Sequence, residues 1–180
     1  MKRLLALIFV LPAMSLAIAA ENGDNGNNEK KNDVPEAKQD VTEHEARVGG
    51  KKVEYTVTAG TMLMSNDQDE PQALIAYTAY VARGEKSAER PIMFAYNGGP
   101  GSASIWLHMG ILGPQRAVVT DAGFSNNGPY RRVNNEYSII DETDLVMIDP
   151  VGTGFAKAVG EAKGEEFWGR DQDIKSISEL

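Results

Sequence analysis

Residues 91–101 read PIMFAYNGGPG, an apolar run that ends abruptly in glycines. Residues 144–155 read DLVMIDPVGTGF and follow the same plan. A short, unbroken apolar run is typical of a strand that is buried on both faces, and glycine and proline after it predict a turn. We therefore predict that residues 91–96 and 144–149 form two buried strands, each followed by a glycine-rich loop.

The residues before this pair predict an antiparallel hairpin. Apolar and polar side chains alternate from Val53 to Val57, which predicts a strand that continues through residues 61–64. A turn-forming cluster, NDQDEP, occupies residues 66–71. Residues 73–82 then predict the partner strand.

The remaining segments predict helices and a loop. Residues 102–112 predict a short helix, and residues 123–135 are rich in turn formers. Residues 167–180 begin an amphipathic helix in which Ile174 and Ile177 share a face. The order antiparallel hairpin, buried strand, glycine loop, buried strand, helix predicts an α/β fold built on a mixed sheet.

The composition excludes several kinds of site. The chain has 180 residues, a formal net charge of −8 and no cysteine, so a disulfide framework, a zinc–cysteine site and a cysteine nucleophile are excluded. An acidic chain lacks the basic surface that nucleic-acid binding requires. The two histidines, His44 and His108, leave little for a histidine-rich metal site, and we predict neither a metal nor a cofactor.

The N-terminus matches a secretory signal peptide. Lys2 and Arg3 give a positive start, residues 4–16 are almost entirely apolar, and residues 17–19 (AIA) fit a small-x-small cleavage pattern. The apolar run is shorter than the ~20 residues that a membrane-spanning helix needs. We predict that residues 1–20 are removed, that the chain has no stable membrane anchor, and that it is periplasmic or extracellular.

The segment after the signal peptide predicts a disordered polar leader, residues 21–46. It contains no Phe, Tyr or Trp and few large apolar groups. Such a segment buries too little apolar surface to offset the entropy cost of ordering it. The folded domain is therefore predicted to start at Arg47 and to occupy residues 47–180.

The glycines after the first buried strand are the strongest indication of a ligand-binding loop in this sequence. Gly98, Gly99 and Gly101 permit positive φ and close approach of a ligand to the backbone, at the strand end where open α/β sheets bind ligands. Backbone N–H groups in such a loop can stabilise an oxyanion, at about 2.7–4 kcal/mol for each donor. The alternative is a tight strand-to-loop turn with no chemistry.

The surrounding blocks resemble the serine carboxypeptidase family (peptidase S10-like), a branch of the α/β hydrolases, and look most like its bacterial members. The resemblance is dense from Arg90 to Leu180 and weaker over residues 48–89. It implies an α/β-hydrolase-type mixed sheet flanked by helices, with only the N-terminal half of that fold in these 180 residues. The blocks occur in the family's order: NGGPGS at 97–102, LGP at 112–114, NEYS at 135–138 and DPVGTGF at 149–155.

The resemblance implies roles for three residues of the first loop. Gly99 would supply a backbone N–H to the oxyanion hole. Asn97 and the backbone of Gly98 would bind the C-terminal carboxylate of a peptide substrate. Residues 149–155 would shape the wall of the cleft. From the sequence alone, Asp149 is interpreted as an acidic residue that closes a strand-end turn rather than as a catalytic residue.

Three positions depart from the family pattern. Ala95 stands where typical members have Trp, Ile111 where many have Glu, and Ser102 where Cys is common. The Glu normally helps to hold the substrate carboxylate, so the departures leave open an acyltransferase or an esterase on the same fold. They also leave the pH optimum and the side-chain specificity open.

The nucleophile of a serine hydrolase is not present in these residues. No serine has glycine at both −2 and +2, as a G-x-S-x-G elbow requires, and the family places its Ser, Asp and His later in the chain. We predict an exported serine-type carboxypeptidase-like hydrolase that releases C-terminal residues through an acyl-enzyme, with these 180 residues inactive alone. The alternative is a non-catalytic periplasmic module that binds peptides or other carboxylates; the oligomeric state is left open.

Overall fold

Eight strands and two short helices make up the part of the chain that the computed structural model describes, residues 34–84, 89–98, 101–119 and 131–179. The strands are β1 (Gln39–Val48), β2 (Lys51–Ser65), β3 (Pro71–Ala82), β4 (Ile92–Tyr96), β5 (Gln115–Ala117), β6 (Arg132–Asn134), β7 (Asp144–Asp149) and β8 (Lys157–Ala158). Helix α1 (Ile105–Leu107) continues as a π-helical turn (His108–Leu112), and a 3-10 turn (Gly164–Phe167) precedes helix α2 (Arg170–Ser178).

The main sheet is mixed, as predicted. Its strand order is β1-β2-β3-β7-β4, with β8 also paired to β3. Among the strand pairs of the described residues, β4–β7 is the parallel one; the pairs β1–β2, β2–β3, β3–β7 and β3–β8 are antiparallel. The predicted hairpin is confirmed as β2–β3, and the predicted α/β fold with a mixed sheet is confirmed by this arrangement.

Both faces of the sheet carry a hydrophobic core. On one face, Tyr80 of β3 and Met147 of β7 are buried with Ala95 of β4, and Leu107 and Leu112 from the α1 segment pack against them. On the other face, Ile75 and Ile148 are buried with Val151 and Phe167, and Ile177 of α2 packs against that cluster. The alternation of side chains along β3 and β7 therefore supplies both cores, and helices lie on both faces.

The prediction that β4 is buried on both faces is wrong. Among its residues only Ala95 is buried, while Ile92 (58%), Phe94 (56%) and Tyr96 (49%) are exposed. Within the described residues β4 pairs with β7 alone, and the 3-10 turn and α2 cover β3 and β7 instead. The sequence pattern correctly predicts an apolar strand, but it does not show how many strands and helices pack around it.

The predicted start of structure at Arg47 is also wrong, because β1 begins at Gln39. This polar strand pairs with β2 along its whole length, from Gln39 opposite Gly60 to Val48 opposite Lys51. Its order comes mainly from backbone hydrogen bonds, and only its last few residues bury apolar side chains. The predicted signal peptide and the leader up to residue 33 lie outside the described residues.

The C-terminal segments largely follow the predictions. The predicted helix at 102–112 is found as α1 and its π-helical turn, and the predicted C-terminal helix is found as α2. Ile177 packs against the core, but Ile174 is exposed. In the predicted loop 123–135, the described part contains β6, which pairs with β5 as a separate two-stranded sheet.

A buried ion pair ties the amino-terminal ends of β4 and β7 together. Arg90 donates from Nε to Oδ1 of Asp144 at 2.9 Å, and 18% and 8% of the two side chains are exposed. The same Oδ1 accepts the Ala82 N–H at 3.0 Å. Arg90 also donates to the carbonyls of Asp141, at 3.1 Å, and Ile140. The network fixes β3, β4 and β7 relative to one another at the end of the sheet opposite the candidate site.

Candidate functional site

The carboxyl ends of β4 and β7 bring two glycine-containing loops side by side. Because the strands are parallel and Tyr96 is in register with Ile148, the chain leaves both strands at the same edge of the sheet. A cleft of about 480 Å³ lies there. One wall contains Asn97, Gly98 and Ser102, and the opposite walls come from the loop after β7 and from the start of α2.

Asp149, the last residue of β7, joins the two loops. Its Oδ1 accepts the backbone N–H of Ser104 at 2.9 Å, and its Oδ2 accepts the N–H of Phe155 at 3.2 Å. The Ser104 hydroxyl donates to the carbonyl of Ile148 and accepts the N–H of Asn97 at 3.3 Å. These contacts are those of a residue that closes strand-end turns, and they fix the backbone on both sides of the cleft.

The loop after β7 is held in shape by its own hydrogen bonds. The Thr153 N–H donates to the Pro150 carbonyl at 3.0 Å, and the Gly152 N–H donates to the Ala156 carbonyl at 3.2 Å. Gly154 has φ +51°, and a Cβ placed on it would overlap the carboxylate of Asp149. Glycine is therefore required at 154 both by the backbone conformation and by the close approach of Asp149.

Two of the three predicted site residues lie in the cleft. Asn97 and Gly98 line it, and Gly98 is exposed, with no atom of the described residues within 4 Å of a Cβ built on it. No hydrogen bond within the described residues occupies the Gly98 N–H or the Asn97 carboxamide. Gly99, the predicted oxyanion donor, lies outside the described residues, and its role stays a prediction.

The start of α2 contributes a wall that the sequence did not assign to the site. Phe167 and Trp168 line the cleft together with Arg170 and Asp173. Phe167 is buried in the second core, whereas 68% of Trp168 is exposed. The sequence shows that Phe167 and Trp168 precede a helix. It does not show that they line the same cleft as Asn97, because about 70 residues separate them along the chain.

His108 lies on the other side of the sheet, where it bonds to Tyr80. The Tyr80 hydroxyl is hydrogen-bonded to Nε2 of His108, and the two rings meet edge to face at 5.3 Å. Burial lowers the pKa of His108, and the negative charge of Asp149 opposes this shift. Burial also raises the pKa of Tyr80 to about 12. Neutral His108 thus accepts a hydrogen bond from the neutral Tyr80 hydroxyl, which is a structural role.

We expect this pair to make stability depend on pH. Between the ordinary histidine pKa of 6.5 and the lower value in the folded state, the unfolded chain binds a proton that the folded chain does not. Its contribution to stability is complete above about pH 6.5 and declines as the pH falls through that window. Unfolding by urea at a series of pH values should show a shallower decline for His108→Gln than for the unsubstituted chain.

The matched control for that experiment is His44→Gln, which changes an exposed histidine on β1. The control should follow the unsubstituted chain. An unchanged pH dependence in His108→Gln would contradict the assignment of a neutral, buried His108.

The described residues contain no group of three or more His, Asp or Glu side chains placed to hold a metal ion. Within the same residues, no helix has both the length and the apolar character needed to cross a membrane.

Comparisons with known proteins give a weak likeness to solved structures. No protein-family model matches the chain, and no curated protein matches it. Among solved structures, it is similar to Kex1Δp, a prohormone-processing carboxypeptidase from Saccharomyces cerevisiae, with 27% sequence identity and a TM-score of 0.45. The match covers 56% of this chain and 20% of that one, so the chain spans about a fifth of its length. At this TM-score the likeness does not by itself assign a family or an activity.

Proposed function

We propose that this chain supplies the carboxylate-binding and oxyanion-binding loops of an exported, serine-type carboxypeptidase-like hydrolase. The observation that carries the proposal is that Asn97 and Gly98 line one cleft together with residues 150–153, at the carboxyl ends of a parallel strand pair. Ligands of open α/β sheets bind at this kind of edge. Export rests on the predicted signal peptide, residues 1–20.

The chemistry proposed for the cleft uses neutral donors. A peptide carboxylate bound there would accept hydrogen bonds from the Asn97 carboxamide and the Gly98 N–H. Hydrogen bonds to a charged acceptor are about twice as strong as neutral ones. Asp149 does not contact the ligand in this scheme; it is a positioning residue, since both of its oxygens bond to backbone N–H groups of the two loops. Gly99 would complete the oxyanion hole.

The hydrolytic part of the proposal is tested with a fluorophosphonate probe, which labels activated serines. None of the serines in these 180 residues lies in a G-x-S-x-G elbow. We therefore expect the 180-residue chain to remain unlabelled, and a longer chain with this sequence followed by an elbow to become labelled. Labelling of any serine in these 180 residues would contradict the proposed division of the active site.

A second candidate function is a non-catalytic module that binds peptide C-termini. It is favoured by one observation: within the described residues, the Asn97 carboxamide and the Gly98 N–H lie at the cleft without a hydrogen-bond partner. This function requires a protein that is soluble, monomeric and cooperatively unfolding, with binding that depends on a free carboxylate. Calorimetric titration with acetylated peptides, free or amidated at the C-terminus, measures that dependence. A broad, non-cooperative melt of the 180-residue chain would exclude it.

A further inference from the structure

We propose that Trp168 and Phe167 form a side-chain pocket that selects peptides ending in a large apolar residue, above all an aromatic one. The inference rests on the proposed binding of the terminal carboxylate at Asn97 and Gly98. It adds the class of substrate: the carboxylate would lie against the loop after β4, and the side chain of the same terminal residue against the start of α2.

The floor of this pocket is apolar and fixed. Val151 and Phe167 line the cleft, and both are buried in the core that also contains Ile148 of β7. Because protein cores are closely packed, these two residues have little freedom to move away from a ligand. The floor therefore offers a preformed apolar surface rather than one that must be assembled on binding.

Trp168 forms the side wall of the pocket and packs against the loop after β7. A Cβ built on Gly152 would lie 3.9 Å from the indole Nε1 of Trp168, and Gly152 has φ +86°. The indole thus lies against the backbone of Gly152, while 68% of its surface is open toward solvent. An exposed aromatic face held against backbone is suited to packing on an aromatic or long aliphatic side chain.

The size and charge of the cleft agree with such a ligand. Its volume of about 480 Å³ lies within the range of about 300–1,000 Å³ for small-molecule sites. Among its described lining residues, Arg170 and Asp173 carry opposite charges, so the lining has no net charge that would select an acidic or a basic side chain. Arg170 is also paired with Asp171 at 3.0 Å in an exposed position.

The test uses Trp168 as its own reporter. The chain has two tryptophans, so Trp106→Phe leaves Trp168 as the only one. Its fluorescence is titrated with N-acetylphenylalanine, N-acetylalanine and N-acetylphenylalaninamide. We expect the phenylalanine acid to bind at least about tenfold more tightly than the alanine acid, a typical discrimination by an apolar pocket, and more tightly than the amide.

The outcomes separate this inference from the proposed function. Equal binding of the phenylalanine and alanine acids overturns the side-chain pocket and leaves the carboxylate site intact. Equal binding of the phenylalanine acid and its amide overturns the carboxylate site. No saturable change with any of the three ligands contradicts both.

Variants at position 168 then assign the selectivity to the indole. Trp168→Ala should bind the phenylalanine and alanine acids alike by calorimetry, while Trp168→Phe should keep most of the preference. Tyr137→Ala is the matched control, since it removes another exposed aromatic side chain that does not line this cleft. A preference that survives in Trp168→Ala, with an unchanged circular dichroism spectrum, overturns the inference.

Discussion

Replacing Asp144 with alanine should lower the free energy of unfolding by about 3–5 kcal/mol, the usual cost of removing one partner of a buried ion pair. The substitution leaves the Arg90 guanidinium without its carboxylate and the Ala82 N–H without its acceptor. Both losses fall where little water can replace the missing oxygen, because only 8% of the Asp144 side chain and 18% of that of Arg90 are exposed. Urea unfolding followed by circular dichroism measures the change.

The control for Asp144 is an ion pair of the same length in an exposed position. Arg170 and Asp171 lie 3.0 Å apart, with 86% and 78% of their side chains exposed. Because exposed pairs contribute about 0–1 kcal/mol, Asp171→Ala should leave the unfolding curve nearly unchanged. Similar losses in the two variants would mean that the Arg90–Asp144 pair does not hold the ends of β4 and β7 together.

Gly154→Ala should be the most damaging small substitution near the cleft. The left-handed conformation costs a residue with a side chain roughly 1–2 kcal/mol, and here the new Cβ would also overlap the Asp149 carboxylate. Relief of the overlap requires Asp149 to give up its bonds to Ser104 and Phe155. We therefore expect a stability loss clearly larger than the conformational cost alone, together with weaker binding of carboxylate ligands.

Gly50→Ala isolates the conformational part of that loss. Gly50 has φ +81°, and a Cβ built there meets no atom of the described residues within 4 Å. Its substitution should cost about 1–2 kcal/mol and leave ligand binding unchanged. Equal effects at positions 50 and 154 would show that the contact between Gly154 and Asp149 is unimportant.

The elements predicted well from sequence are those in which the order of apolar and polar residues follows directly from which side chains are buried. The alternating and apolar runs of β2, β3 and β7 specify strands, and the glycines after β4 and β7 mark where the chain turns. The same reasoning failed for β4, since an apolar run does not reveal that the strand has one paired neighbour among the described residues. It failed for β1 because backbone pairing with β2 orders a strand that buries few side chains.

The candidate site was predictable only in part, for a related reason. The adjacency of Asn97 and Asp149 follows from two parallel strands with loops at their carboxyl ends. By contrast, the position of Trp168 against Gly152 depends on the path of the chain through β8 and the 3-10 turn. The same holds for Arg90, which lies just before β4 and whose sequence context does not reveal a buried partner 54 residues away.

The most direct test of the account is the amide resonance of Gly98 in a two-dimensional nitrogen–proton NMR spectrum during titration with N-acetylphenylalanine. A carboxylate bound by the Gly98 N–H should move this resonance saturably, and Asn97→Ala should weaken the apparent affinity. The corresponding amide should leave the resonance in place at the same concentrations. Equal shifts with acid and amide, or no shift at Gly98 while other residues respond, would contradict carboxylate recognition by the loop after β4.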